Sequence, residues 1–136
     1  MIHCLPGSRH AITHEMIDHR KQYMQIKGRE VYKFAVTRFG ELIQDAMEKC
    51  HLTVDQVKLI VPHQVNQRII DSAVKKLNFP IEKVYVNIDR FGNTSAASVP
   101  IALHEARLRG RLAPGDTVIL VAFGAGLTWA SAVVKL

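Results

Sequence analysis

Two apolar runs near the end of the chain, Thr117–Phe123 and Thr128–Val134, are separated only by Gly124-Ala125-Gly126. Three residues cannot hold a helical crossover, so the two runs must lie side by side as antiparallel strands. An earlier run, Val57-Lys58-Leu59-Ile60-Val61, is stopped by Pro62 and reads as a buried strand. Val84–Ile88 reads as a further strand. Between these runs the apolar period changes to that of helices. Phe39, Leu42, Ile43, Ala46, Met47 and Cys50 recur at helical spacing, opposite Glu41, Gln44, Asp45, Glu48 and Lys49. After Pro62 a helix places Val65, Ile69, Ala73, Val74 and Leu77 inward and Arg68, Ser72, Lys75 and Lys76 outward. Gly92-Asn93-Thr94-Ser95 reads as a turn and a capping cluster, opening a helix that runs to about Arg109 despite Pro100 and ends at Gly110. Strands alternating with helices, then a hairpin, give an α/β layer structure with helices packed on a mixed sheet. Residues 1–22 are polar and weakly patterned, an irregular lead-in to a domain over 23–136.

At 136 residues, 48% hydrophobic and 22% charged, the chain has enough apolar content for one folded core. No run reaches the roughly 18 apolar residues of a membrane span, and no signal peptide opens the chain, so a cytoplasmic protein is expected. Cys4 and Cys50 make no disulfide framework, and Cys50, closing an apolar stripe, reads as a core thiol at a helix end. His10, His14 and Asp18 would share a helix face, but His19 falls five residues after His14, where a zinc-protease helix needs four. Solvated loop histidines and no metal are the expectation. The net charge of +6 is uneven: from Arg20 to Arg38 there are six basic residues and one acid, Glu30. Such a patch attracts polyanions. No zinc-finger, RNA-binding or helix-turn-helix signature accompanies it, so no nucleic-acid partner is expected. An acidic carrier protein or a nucleotide-containing thioester would be drawn equally well.

Ligands of α/β sheets sit beyond the carboxyl ends of the strands. Three segments fall there: Pro62-His63-Gln64-Val65-Asn66, Asp89-Arg90-Phe91-Gly92-Asn93 and Phe123-Gly124-Ala125-Gly126. A histidine, an asparagine on a glycine turn and a loop exposing backbone N–H groups are the donors that an oxyanion or enolate needs.

The motifs His63-Gln64-Val65-Asn66-Gln67-Arg68-Ile69, Gly92-Asn93-Thr94-Ser95-Ala96-Ala97-Ser98 and Gly124-Ala125-Gly126-Leu127-Thr128-Trp129, in this order, resemble the C-terminal half of the β-ketoacyl-acyl carrier protein synthase III family. Gly28-Arg29-Glu30-Val31-Tyr32-Lys33-Phe34-Ala35-Val36 is similar to that family too, so the resemblance covers roughly residues 7–136. It implies a thiolase-like fold of two similar halves, this chain being the second. It implies an acyltransferase of fatty acid synthesis whose Cys nucleophile, in the first half, takes an acyl group from acyl-coenzyme A. Malonyl-acyl carrier protein then loses CO₂ and its carbanion attacks the acyl-Cys. By motif match His63 and Asn93 would hold the malonyl thioester oxygen, and the Ala125 N–H would serve the oxyanion of the acyl-Cys step. Gly28, Tyr32, Val65, Asn66 and Phe123 resemble positions lining a pantetheine tunnel. Lys33, Arg68, Lys75 and Lys76 resemble a basic patch that docks acyl carrier protein. Family resemblance also implies a homo-oligomer and no cofactor beyond the coenzyme A and phosphopantetheine thioester substrates. Neither Cys4 nor Cys50 matches the nucleophile segment, and Ala130 stands where Gly is common. The rival expectation is a non-catalytic module that binds a pantetheine thioester or a carrier protein.

Overall fold

The computed structural model describes residues 2, 3 and 6–136. Cys4 lies outside them. In chain order the elements are β1 (Ile2–His3), α1 (His14–Asp18), β2 (Gln25–Ile26), α2 (Gly28–Lys49), β3 (Leu59–Pro62), α3 (Gln67–Leu77), α4 (Ile88–Phe91), α5 (Ser98–Leu108), β4 (Thr117–Gly124) and β5 (Thr128–Lys135). The main sheet has the order β3-β4-β5, with β3 parallel to β4 and β5 antiparallel to it. The expected terminal hairpin is thus present, paired from Thr117 with Lys135 to Gly124 with Thr128.

Alternation along the strands builds three layers. Ile60, Ile119, Val121 and Phe123 pack with α2 and α3 through Ala35, Phe39, Ile43, Ile70 and Ala73. Leu59, Val61 and Val118, on the other face, pack with Ala102 and Ala106 of α5. Successive side chains of a strand point to opposite faces, so a strand apolar at every position demands cover on both sides. α5 tolerates Pro100 because that residue lies in the first turn, where backbone N–H groups have no partner inside the helix. Gly110, at φ +66°, follows its last turn. β5 pairs only with β4 among the described residues, and Thr128, Trp129 and Ala130 are exposed. Trp129 lies edge-on to Phe34 of α2 at 5.4 Å between centroids, with the Arg38 guanidinium 4.9 Å from the indole ring.

Five expectations need correction. The α2 helix begins at Gly28, well before the expected stripe opens at Phe39, because Val31 and Ala35 extend the buried stripe backwards. Cys50 is exposed: it is the C-cap of α2, where the backbone leaves helical geometry and the stripe ends. Ser72 is half-buried rather than outward, since its hydroxyl meets Tyr32 Oη of α2 at 2.7 Å. The lead-in is not wholly irregular. It carries α1, capped by Thr13 Oγ1 accepting the Met16 N–H at 3.2 Å. Val84–Ile88 is not a strand. Only Val84 bridges to Ile60, and a glutamine side chain replaces the ladder beyond it.

Among the described residues no helix is long and apolar enough to cross a membrane, and no three histidine, cysteine or carboxylate side chains form a metal-ligand group.

Candidate active site

His63 immediately follows β3, and its N–H donates to Val121 O of β4 at 2.7 Å, which fixes the residue at the carboxyl end of the parallel pair. Phe123, two residues further along β4, sets its ring edge-on to the imidazole at 5.9 Å. The half-buried ring is desolvated, which pushes the His63 pKa below the usual histidine range and favours the neutral form. Its Nδ1 is 2.6 Å from Ser98 Oγ, at the start of α5. Its Nε2 has no partner among the described residues.

Asn93 stands on the loop between α4 and α5. Its Oδ1 accepts the Ser95 N–H at 3.0 Å, so the carbonyl is engaged locally while the Nδ2 hydrogens stay available. The expected capping cluster therefore caps nothing in α5. It forms this local turn, followed by a 3₁₀ turn over Ser95–Ala97, and α5 has no side-chain cap. Gly92 makes the turn possible at φ +66°. An added Cβ there would meet nothing within 4 Å, so the dihedral rather than space demands glycine. Ser95 also sits in the left-handed region, at φ 52°.

Sequence reasoning missed the framework behind these donors. Gln64, 1% exposed, donates from Nε2 to Pro62 O at 2.8 Å and Tyr85 O at 3.2 Å, and accepts the Asn87 N–H at 2.9 Å. Its side chain thereby does the work of a strand partner for residues 85–87. Asn87, equally buried, donates from Nδ2 to Glu105 Oε2 of α5 at 2.8 Å. Glu105 also accepts from Arg90 of α4 at 2.9 Å and pairs with Arg109 at 2.9 Å. A polar chain, buried at Gln64 and Asn87 and opening to solvent at Arg90, thus runs from the His63 segment to both helices that flank the Asn93 loop. The Arg90 hydrogen bond, the strongest of several contributions, holds the Glu105 carboxyl down to about 2. A depressed carboxylate stabilises the folded state above the unfolded value near 4.5, and that contribution fades as pH falls toward about 2. Gln64 in the first motif and Asn87 inside an apolar run were the available signal, but their partners lie too far along the chain to infer.

The remaining expected residues fall as follows. Ala125 is exposed on the loop after β4, where the Thr128 hydroxyl donates to its carbonyl at 3.1 Å. Asn66 caps α3, its Oδ1 accepting the Arg68 N–H at 2.9 Å, and Val65 is half-buried against the core. Gly28 opens α2, and Tyr32, one turn on, is tied to α3 through Ser72. No hydrogen bond or ring contact links Gly28 or Tyr32 to His63 or Asn93 among the described residues. Lys33, Arg68, Lys75 and Lys76 are exposed, and none of the four pairs with a carboxylate among the described residues.

Residues 47–136 match the family described as 3-oxoacyl-[acyl-carrier-protein (ACP)] synthase III C terminal. A beta-ketoacyl-[acyl-carrier-protein] synthase III of Rhodopirellula baltica is 51% identical over 134 residues, 97% of this chain and 39% of the relative. The solved 3-oxoacyl-[acyl-carrier-protein] synthase III of Aquifex aeolicus superposes with a TM-score of 0.81 at 46% identity, over 85% of this chain and 37% of that one. The corresponding Thermus thermophilus structure gives 0.82 at 52% identity, over 85% and 36%. The chain therefore spans about two fifths of the length of the curated relatives it matches. With its thiolase-like α/β layers and these similarities over nearly its whole length, the chain belongs to the 3-oxoacyl-acyl carrier protein synthase III family, whose C-terminal part it represents.

Proposed function

We propose that this chain supplies the enolate-stabilising part of a decarboxylating acyltransferase that condenses an acyl-coenzyme A starter with malonyl-acyl carrier protein in fatty acid synthesis. One observation carries the reading: His63 and Asn93 each have one polar atom engaged by the fold and one donor left over. When the malonyl C–C bond breaks, CO₂ leaves and the electron pair flows into the thioester carbonyl, whose oxygen becomes anionic. Nε2–H of His63 and Nδ2–H of Asn93 are the donors for that oxygen. Preorganised donors in a desolvated site act mainly on the charge that develops in the transition state. The enolate carbon then attacks an acyl thioester carried by a Cys outside this chain, the Ala125 N–H takes the transient oxyanion, and the Cys thiolate departs.

The outer side of α5 supports a larger assembly around this site. Phe91 and Leu108 are 46% and 74% exposed, and with Pro100 and Ile101 they line an apolar hollow. That face suits a Cys-bearing N-terminal portion, which would also close the site against water. Replacing the matched segment of the Rhodopirellula baltica relative with this chain tests the reading. The chimera is expected to condense acetyl-coenzyme A with malonyl-acyl carrier protein. A soluble chimera that acylates its Cys but never decarboxylates malonyl thioester would reduce the chain to a binding module.

Carrier-protein docking follows from charge. Arg68 and Lys75 are seven residues apart on α3, two helical turns, and Lys76 adjoins them. Contacts between exposed charges are screened over about 8 Å near physiological ionic strength. Arg68→Glu is expected to weaken carrier-protein binding sharply at low salt, with Lys135→Glu as the control off the patch. Titration of both variants at two salt concentrations decides it. Equal losses would mean that net charge alone matters, and no loss for Arg68→Glu would remove the docking site.

A further inference from the structure

The contacts of Ser98 assign it a task of its own. Ser98 is 2% exposed, and its Oγ meets two groups: the Gln64 backbone N–H at 3.2 Å and His63 Nδ1 at 2.6 Å. The Gln64 N–H can only donate, so it occupies a lone pair of the hydroxyl oxygen. The hydroxyl proton then needs an acceptor, because a buried donor left unpaired keeps the full cost of its desolvation. Nδ1 of His63 is the acceptor within reach. An Nδ1 that accepts a hydrogen bond carries no proton, so a neutral imidazole must carry its proton on Nε2. That is the nitrogen without a partner.

We infer that Ser98 is a positioning residue that selects the Nε2–H tautomer of His63, and that the Gln64 N–H sets the direction of the Ser98 hydroxyl. Protonating Nδ1 would turn that hydrogen bond around and strand the hydroxyl proton, so the same contact opposes the cationic ring. Burial of the imidazole acts in the same direction. One side-chain oxygen thereby links the loop after β3 to the first turn of α5, whose preceding loop carries Asn93. The role rests on the proposed enolate chemistry for its use, but the proton position itself does not.

The deciding measurement is nitrogen-15 NMR of the 136-residue chain labelled at histidine, with the His63 signals assigned by their loss in His63→Gln. The expected result near neutral pH is an unprotonated Nδ1 and a protonated Nε2 in the wild type. Ser98→Ala is expected to give a mixture of tautomers, and Ser98→Thr, which keeps a hydroxyl, to retain the wild-type form. In the chimera, Ser98→Ala is expected to slow malonyl decarboxylation by about 10–100-fold, by analogy with the loss of a group that orients a metal-bound imidazole. Cys acylation should hardly change, and Ser98→Thr should recover most of the rate. A wild-type Nδ1–H overturns the assignment without any variant, as does a Ser98→Ala chain with the tautomer unchanged. If the tautomer result holds while His63→Ala decarboxylates normally, the enolate reading falls and the Ser98 assignment stands.

Discussion

His63→Ala and Asn93→Ala, each introduced into the chimera, are expected to slow malonyl-thioester decarboxylation by about 10²–10³-fold, the usual cost of one oxyanion donor. The motivation is geometric. Each side chain keeps one polar atom in the fold, at 2.6 Å from Ser98 and 3.0 Å from Ser95, and presents the other outward. Removing either leaves a single donor for the anionic oxygen. A fold effect is separable, because Asn93 is exposed and the helices flanking its loop are braced through Asn87, Arg90 and Glu105 as well as by the Asn93–Ser95 turn. Acylation of the Cys should change far less, since the proposed role of those donors is on the malonyl oxygen. Rapid-quench measurement of the two half-reactions decides the matter. Equal loss in both would show that His63 and Asn93 serve the whole site rather than the decarboxylation step.

Alone, the 136-residue chain is expected to give no 3-oxoacyl product from acetyl-coenzyme A and malonyl-acyl carrier protein. Without an acyl-Cys the enolate has no electrophile to attack. Cys50 cannot substitute: it caps the far end of α2, while the donors sit after β3 and before α5. Product analysis by mass spectrometry is the check. Turnover at roughly one per second, a low but ordinary enzymatic rate, would show that another residue of this chain forms the covalent intermediate.

Much of the fold was legible because a few local rules governed it. The short Gly124–Gly126 connection permits only a hairpin, and the unbroken apolar runs of β3 and β4 require helices on both faces. What failed was decided by partners distant in sequence. Val84–Ile88 carries a strand's composition, yet the Gln64 amide, from a segment 21 residues earlier, captures the Tyr85 carbonyl in place of a ladder. Ser72 looked like an outward position until Tyr32, 40 residues away, reached it. At the site the pattern is similar. His63 and Asn93 stood out through their motifs, whereas the roles of Ser98, Asn87 and Glu105 emerge only once α5 lies against β3. Residue type announces a donor. Which of its atoms remains available is settled by packing.

The outer border of β5 has a practical consequence for handling the protein. Its eight residues carry one charge, Lys135, and their outward backbone groups have no strand beside them among the described residues. Among the described residues no proline, bulge or inward charge stands on that border to repel a second extended segment. Concentrated samples will therefore find in it a template for intermolecular pairing. A lysine at Ala130 or Ala132 is the natural gatekeeper to add before crystallisation or spectroscopy.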